Sequence, residues 1–193
     1  RDRLRSRGLG DVYKRQVLGI DMWKDATVTY QHNFPNACVI NDDITNISAD
    51  DILSRLGMNA DDIDVIIGGP PCQGFSVSGK RMIDDPRNKL YKSFVGLVDQ
   101  IRPKVFVMEN VPGLIRLFGG KVKEQVLNDF SSLGYRVKVQ QLSSDDYGVP
   151  QQRKRVFFVG VNDEKISKIN EFEFPKAEYG DGMKPYVTCK EAI

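Results

Sequence analysis

Asp64-Val65-Ile66-Ile67-Gly68-Gly69-Pro70-Pro71-Cys72-Gln73-Gly74-Phe75-Ser76 carries an apolar, β-branched run straight into a loop that bears one cysteine. The run predicts a buried strand over 64–67. Two prolines hold the backbone before the sulfur, and glycines on both sides allow close approach. A thiol at the carboxyl end of a buried strand is placed to meet a ligand. Its bland role is a small apolar residue in a turn. A core cysteine has no need of such flanks, and the context favours a reactive thiol.

Outward from this loop, strands alternate with helical patterns. Strands are predicted at 17–20, 37–40 and 104–108, and helices at 24–33, 48–56, 90–101 and 121–133. Ser48 reads as a cap with Asp50 and Asp51 in the first turn. Two final strands, 135–142 and 155–161, are joined by a polar loop. Such alternation predicts an α/β fold with a parallel sheet and an antiparallel pair at one edge. Residues after Glu173 lose periodicity and read as linker.

The 193 residues suit one domain, with 40% hydrophobic and 28% charged residues, as in a soluble globular protein. A net charge of +2 is too small to announce a nucleic-acid partner, so any such partner must be argued from a site. Cys38, Cys72 and Cys189 are odd in number and far apart. That argues against a disulfide framework or a zinc site and for a reducing, cytoplasmic setting. No apolar run approaches the ~18 residues of a membrane span. The only histidine, His32, reads as a surface residue near a helix end.

Other candidates lie at other strand ends, where an open parallel sheet gathers ligands. Glu109 follows an apolar strand directly, as a site carboxylate or a turn acid. In Gln151-Gln152-Arg153-Lys154-Arg155, Arg153 and Arg155 share one side of an extended chain. Two guanidiniums there suit a phosphate or a base carbonyl, although a solvated charged face is the commoner meaning. Asp21 and Asp43 follow early strands, where an acid binds a cofactor ribose or caps a helix.

Together these residues resemble the DNA (cytosine-5) methyltransferase family over about residues 17–162. Gly69 to Ser76 is similar to its nucleophile loop, Glu109-Asn110-Val111 to its Glu-Asn-Val box, and Gln151 to Arg155 to its Gln-x-Arg-x-Arg box. Asp85 to Leu90 and Asp145 to Pro150 are similar to the segments that approach these boxes. The resemblance implies a Rossmann-like, S-adenosylmethionine-dependent methyltransferase sheet with an antiparallel edge hairpin. It implies Cys72, Glu109, Arg153 and Arg155 as catalytic residues. Asp21, Asp43, Ile44, Pro70 and Leu90 would bind the cofactor S-adenosyl-L-methionine, and Gln73, Ser76 and Arg155 would contact nucleic acid. No metal is implied. The implied partners are double-stranded DNA and a cognate restriction endonuclease, with the chain a monomer in a bacterial or phage-type cytoplasm.

The implied chemistry answers a difficulty of the substrate. Cytosine C5 is a poor nucleophile until a thiolate adds at C6, and a thiolate also leaves well. Cys72 would attack C6, Glu109 would hold the proton at N3, and Arg155 with Arg153 would bond O2 and the nearby phosphate. The methyl group then passes from S-adenosylmethionine to C5. The target base must leave the stack first.

Departures from the family set further expectations. The family opens with a central strand and a Gly-rich segment, lying between the strands that are here 17–20 and 64–67. Nothing similar precedes Val17. Without it the sheet is expected to be incomplete, its first strand missing, as two half-sheets with unpaired backbone. Residues 1–16, dense in arginine, are expected to be non-native or disordered, with a phosphate-binding arm as the other reading. Residues 17–162 then form a partial catalytic domain, and 163–193 a linker and the start of a target-recognition region. Weak cofactor binding and little activity are expected of such a chain. A tRNA methyltransferase of the same family and a non-catalytic nucleic-acid-binding relative remain open. A dinucleotide oxidoreductase shares the α/β pattern but requires a G-x-G-x-x-G that is absent here.

Overall fold

The computed structural model describes residues 15–71, 89–166 and 171–192. Cys72, Gln73 and Ser76, the segment 85–88, and 1–14 of the N-terminal stretch lie outside the described residues. β1 (Leu18–Asp21) leads through α1 (Lys24–Asn33) to β2 (Cys38–Asn41), and the two strands pair in parallel. α2 (Ala49–Leu56) returns the chain to β3 (Val65–Gly68). There follow α3 (Lys89–Ile101), β4 (Val105–Asn110), α4 (Lys121–Ser132), β5 (Tyr135–Ser143), β6 (Lys154–Asn162) and the short α5 (Cys189–Ala192). His32 falls exposed in the last turn of α1.

The last four strands form a second sheet in the order β3-β4-β6-β5, parallel from β3 to β4 and antiparallel on both sides of β6. The expected edge hairpin is therefore present, with β6 on its inner side. Composition explains that order. β6 carries the continuous run Val156-Phe157-Phe158-Val159, whereas β5 carries Arg136, Lys138 and Gln140, which suit a solvated edge. The expected split is present too. The pair β1-β2 stands apart from the larger sheet, and among the described residues no strand pairs with the outer edge of β1 or β3.

α3, with Ile66 of β3, joins the halves. Phe94 and Val98 of α3 pack into a cluster with Phe106 and Met108 of β4 and Phe130 of α4. Leu97 and Ile101, on its neighbouring face, pack with Ile52 of α2 and Ile63, against which Leu18 and Ile20 of β1 also lie. Phe106 is fully buried, stacked on Phe130 at 4.0 Å between ring centres and edge-on to Tyr135 at 5.3 Å. Its room comes from Gly160 on the next strand, where a Cβ would sit 2.0 Å from the Phe106 ring.

α2 begins on a reciprocal cap. The Ser48 hydroxyl accepts from the Asp51 N–H at 3.1 Å, and the Asp51 carboxylate accepts from the Ser48 N–H at 3.1 Å. Gly57, at φ 58°, closes the helix in the left-handed conformation that glycine adopts without strain. Replacing Ser48 by Ala should cost about 1 kcal/mol of stability. A urea denaturation series reads this as a lowered midpoint at unchanged slope.

Candidate active site

The first cluster of site residues gathers around a cleft between the two sheets. Its volume is about 460 Å³, and Asp21, Asp43, Ile44, Pro70 and Leu90 all line it. β1 delivers Asp21 as its last residue, and the turn after β2 delivers Asp43. Both acids also serve the local backbone. Asp21 accepts from the Trp23 N–H at 2.7 Å at the entry to α1, and Asp43 accepts from the Thr45 N–H at 2.9 Å. Capping and ligand binding are thus compatible at these positions, since a carboxylate accepts on two oxygens. Asp42 adds a third acid, its carboxyl held below the usual carboxylate range by the Asn46 amide and the Asp43 N–H. Below this acidic rim the walls are apolar, with Leu18, Ile52, Ile66 and Leu97 among them. An acceptor rim over an apolar floor suits a nucleoside, with hydroxyls at the carboxylates and a flat ring against aliphatic side chains. Met22, also on the cleft and 69% exposed, was not legible as a site residue from its sequence neighbours.

The second cluster lies at the carboxyl end of β4. That strand runs two residues beyond its apolar stretch, so Glu109 and Asn110 belong to it. Arg155, near the start of β6, places its Nε 2.7 Å from Glu109 Oε1, with the side chains 24% and 35% exposed. The pair is half-desolvated yet reachable. Arg153 precedes β6 at the exposed surface. Its backbone is clamped at Ser144, whose hydroxyl accepts from the Arg153 N–H at 3.2 Å and donates to the Gln151 carbonyl at 2.6 Å. Next to that clamp, the Ser143 hydroxyl bonds Asp145 and holds its carboxyl below the usual range.

Asn110 connects the two clusters. Its buried side-chain amide donates to the Pro70 carbonyl at 2.9 Å, tying the end of β4 to the loop two residues before Cys72. A Cβ on Gly69 would lie 3.3 Å from Glu109 Oε2, so this loop passes against the carboxylate. The tail contributes as well. Tyr147 donates to the Pro175 carbonyl at 3.0 Å, and Asp146 accepts backbone bonds from Glu178 and Tyr179, which docks 175–179 beside the loop that leads to Arg153. Among the described residues no group of His, Cys, Asp and Glu could hold a metal ion, and no helix is long and apolar enough to cross a membrane.

The α/β architecture, with a cleft at its strand ends, is the one found in methyltransferase-type folds. Solved structures agree. One described as a DNA modification methyltransferase encoded within an Escherichia coli prophage superposes with a TM-score of 0.70 at 32% identity, covering 91% of this chain and 47% of that one. The S. pombe Dnmt2 methyltransferase superposes with a TM-score of 0.60 at 22% identity over 81% of this chain and 45% of that one, a likeness of fold. The profile of the family described as C-5 cytosine-specific DNA methylase matches residues 6–191, and the chain belongs to that family. It is 42% identical over 181 residues to the Type II methyltransferase M.BspRI of Lysinibacillus sphaericus, spanning 92% of this chain and 39% of that protein. It is 40% identical over 181 residues to M1.HphI of Haemophilus parahaemolyticus, spanning 92% of this chain and 46% of that protein. The chain thus spans less than half the length of these relatives.

Proposed function

We propose that this chain carries the catalytic half of a Type II DNA (cytosine-5) methyltransferase that takes its methyl group from S-adenosylmethionine. The observation that supports this most is the Asn110–Pro70 bond, which ties the Glu109–Arg155 pair and the cleft to the loop that bears Cys72. In this reading Asp21 takes the ribose hydroxyls of the cofactor, and Asp43 and Ile44 its adenine. Pro70 and Leu90 close the pocket. The cofactor, when bound, supplies an electrophilic methyl group. Cys72 adds to C6 of a flipped-out cytosine, and Glu109 holds the proton at N3 as negative charge develops on the ring. Arg155, assisted by Arg153, neutralises that charge at O2 and the adjacent phosphate. Gln73 and Ser76 contact the DNA strand. The chain acts as a monomer on double-stranded DNA in the cytoplasm, beside a cognate endonuclease.

The test is capture on duplex DNA whose target cytosine is replaced by 5-fluorocytosine, with S-adenosylmethionine present. The chain is assayed alone and expressed with its flanking coding sequence. Fluorine at C5 blocks the elimination that frees the enzyme, so a covalent protein–DNA band is expected and should vanish in Cys72→Ala. Intact DNA and unmodified Cys72 in both forms would overturn the reading.

A further inference from the structure

We propose that Ser144 is a positioning residue for Arg153, its hydroxyl closing the last rung between β5 and β6 so that the Arg153 guanidinium meets a nucleic-acid phosphate. The role rests on the nucleic-acid reading above. β5 and β6 pair antiparallel as far as Ser143 opposite Lys154, so Ser144 and Arg153 are the next pair in register. A hydrogen-bonded pair in such a ladder exchanges two backbone bonds. Only one of the two forms here, from the Ser144 N–H to the Arg153 carbonyl at 3.1 Å. The Ser144 carbonyl accepts instead from the Val149 N–H at 3.2 Å, where the connecting loop folds back. The Ser144 hydroxyl takes the place of that carbonyl and accepts from the Arg153 N–H at 3.2 Å.

The same hydroxyl donates to the Gln151 carbonyl at 2.6 Å, and that carbonyl also accepts from the Arg153 N–H at 3.0 Å. Ser144 Oγ, the Gln151 carbonyl and the Arg153 N–H therefore close a ring of three bonds. The position calls for a hydroxyl, which donates and accepts at one atom. Alanine would keep the bond from the Ser144 N–H and the bond within the turn. It would leave the turn free to pivot on them.

The two arginines depend on this rung unequally. Arg155 is held through its own side chain, with Nε 2.7 Å from Glu109 and Nη1 donating to the Lys154 carbonyl at 2.8 Å. Arg153 is exposed, and among the described residues no ion pair or hydrogen bond holds its guanidinium. Its backbone alone decides where that charge stands. A free guanidinium on a fixed stem suits a phosphate, because phosphate contacts set register and orientation and a fixed stem has less freedom to lose on binding. Removing the Ser144 hydroxyl should therefore weaken the hold on DNA and leave the Glu109–Arg155 pair as it is.

Ser144→Ala, Ser144→Thr and Arg153→Gln test the role in the chain expressed with its flanking coding sequence. Binding to duplex DNA of random sequence is followed across a salt series. Arg153→Gln should flatten the slope of log affinity against log salt by about 0.9, the value of one phosphate contact. Ser144→Ala should flatten it by about half of that or more, and should add nothing on top of Arg153→Gln. Adduct formation on the 5-fluorocytosine duplex should slow about three- to tenfold in Ser144→Ala when DNA is subsaturating. At saturating DNA the rate should stay within about twofold of wild type, because what is lost is binding shared by ground and transition states. Ser144→Thr keeps the hydroxyl and should restore both measurements. Amide exchange at Arg153 should quicken in Ser144→Ala alone, with Val156 to Val161 as protected as before. An unchanged salt slope, equal losses of rate at low and saturating DNA, no rescue by threonine, or lost protection across β6 would each overturn the role. If no variant forms an adduct while the salt slopes shift as stated, the cytosine chemistry fails and the positioning of Arg153 stands. If the wild type forms the adduct and Ser144→Ala matches it at every DNA concentration, the positioning fails and the cytosine chemistry stands.

Discussion

Glu109→Gln should slow covalent capture of 5-fluorocytosine DNA by about a hundred- to ten-thousand-fold, the usual contribution of a positioned proton-transfer group. The substitution keeps the size of the side chain and leaves an oxygen to accept from Arg155 Nε, now 2.7 Å from the carboxylate. On the proposed mechanism, what disappears is the capacity to hold a proton at cytosine N3. Without it the adduct at C6 must carry its charge on the ring, with Arg155 as the remaining source of stabilisation. The rate of band formation under single-turnover conditions is the measurement. DNA affinity from a mobility shift, which a structural collapse would lower, serves as the control. Capture at the wild-type rate would remove Glu109 from the chemistry.

Phe106→Ala should destabilise the fold by about 3–5 kcal/mol, a large share of the 5–15 kcal/mol typical of a domain. The ring is fully buried and touches Phe130, Phe94 and Tyr135. Its cavity has little means of closing. Gly160 brings no side chain to fill it, and a ring 4.0 Å away stands on a helix held by Val122 and Val126. The urea midpoint should fall steeply, whereas Ile67→Ala, at a 74% exposed position, should move it little. Equal effects from the two would mean that the core does not lie where the larger sheet meets α3 and α4.

Local signals carried most of the element order. The helix from Lys24 to Asn33, the cap at Ser48 and the apolar face of α3 all speak within a few residues, and the structure has them at those positions. The split sheet came from family resemblance, since no local pattern among the described strands shows which of them pair across the sheet. Other features were not legible. The turn Pro112–Gly120 lies between a strand and a helix with neither periodicity, and Phe118 adopts φ 52°, which no sequence pattern announces. Asn110 reads as one letter of a box, and its role depends on a carbonyl 40 residues away. The docked tail likewise depends on Tyr147 and Asp146 meeting backbone beyond residue 174. Arg153 and Arg155, alike in an extended chain, differ because Glu109 captures only the second.

That α3 sends Phe94 and Val98 into one cluster and Leu97 and Ile101 into another has a consequence for how the molecule comes apart. Among the described residues no backbone ladder crosses from β1 to β3, so the halves share side-chain packing along α3 and at Ile66 of β3. Packing on separate faces lets two cooperative units open with different free energies. The small unit, with two short strands and α1, is expected to have the lower threshold, since the large one holds the aromatic cluster. A nucleoside held between Asp21 and Leu90 would span that seam and raise the opening cost of the weaker unit, making occupancy and rigidity a single property.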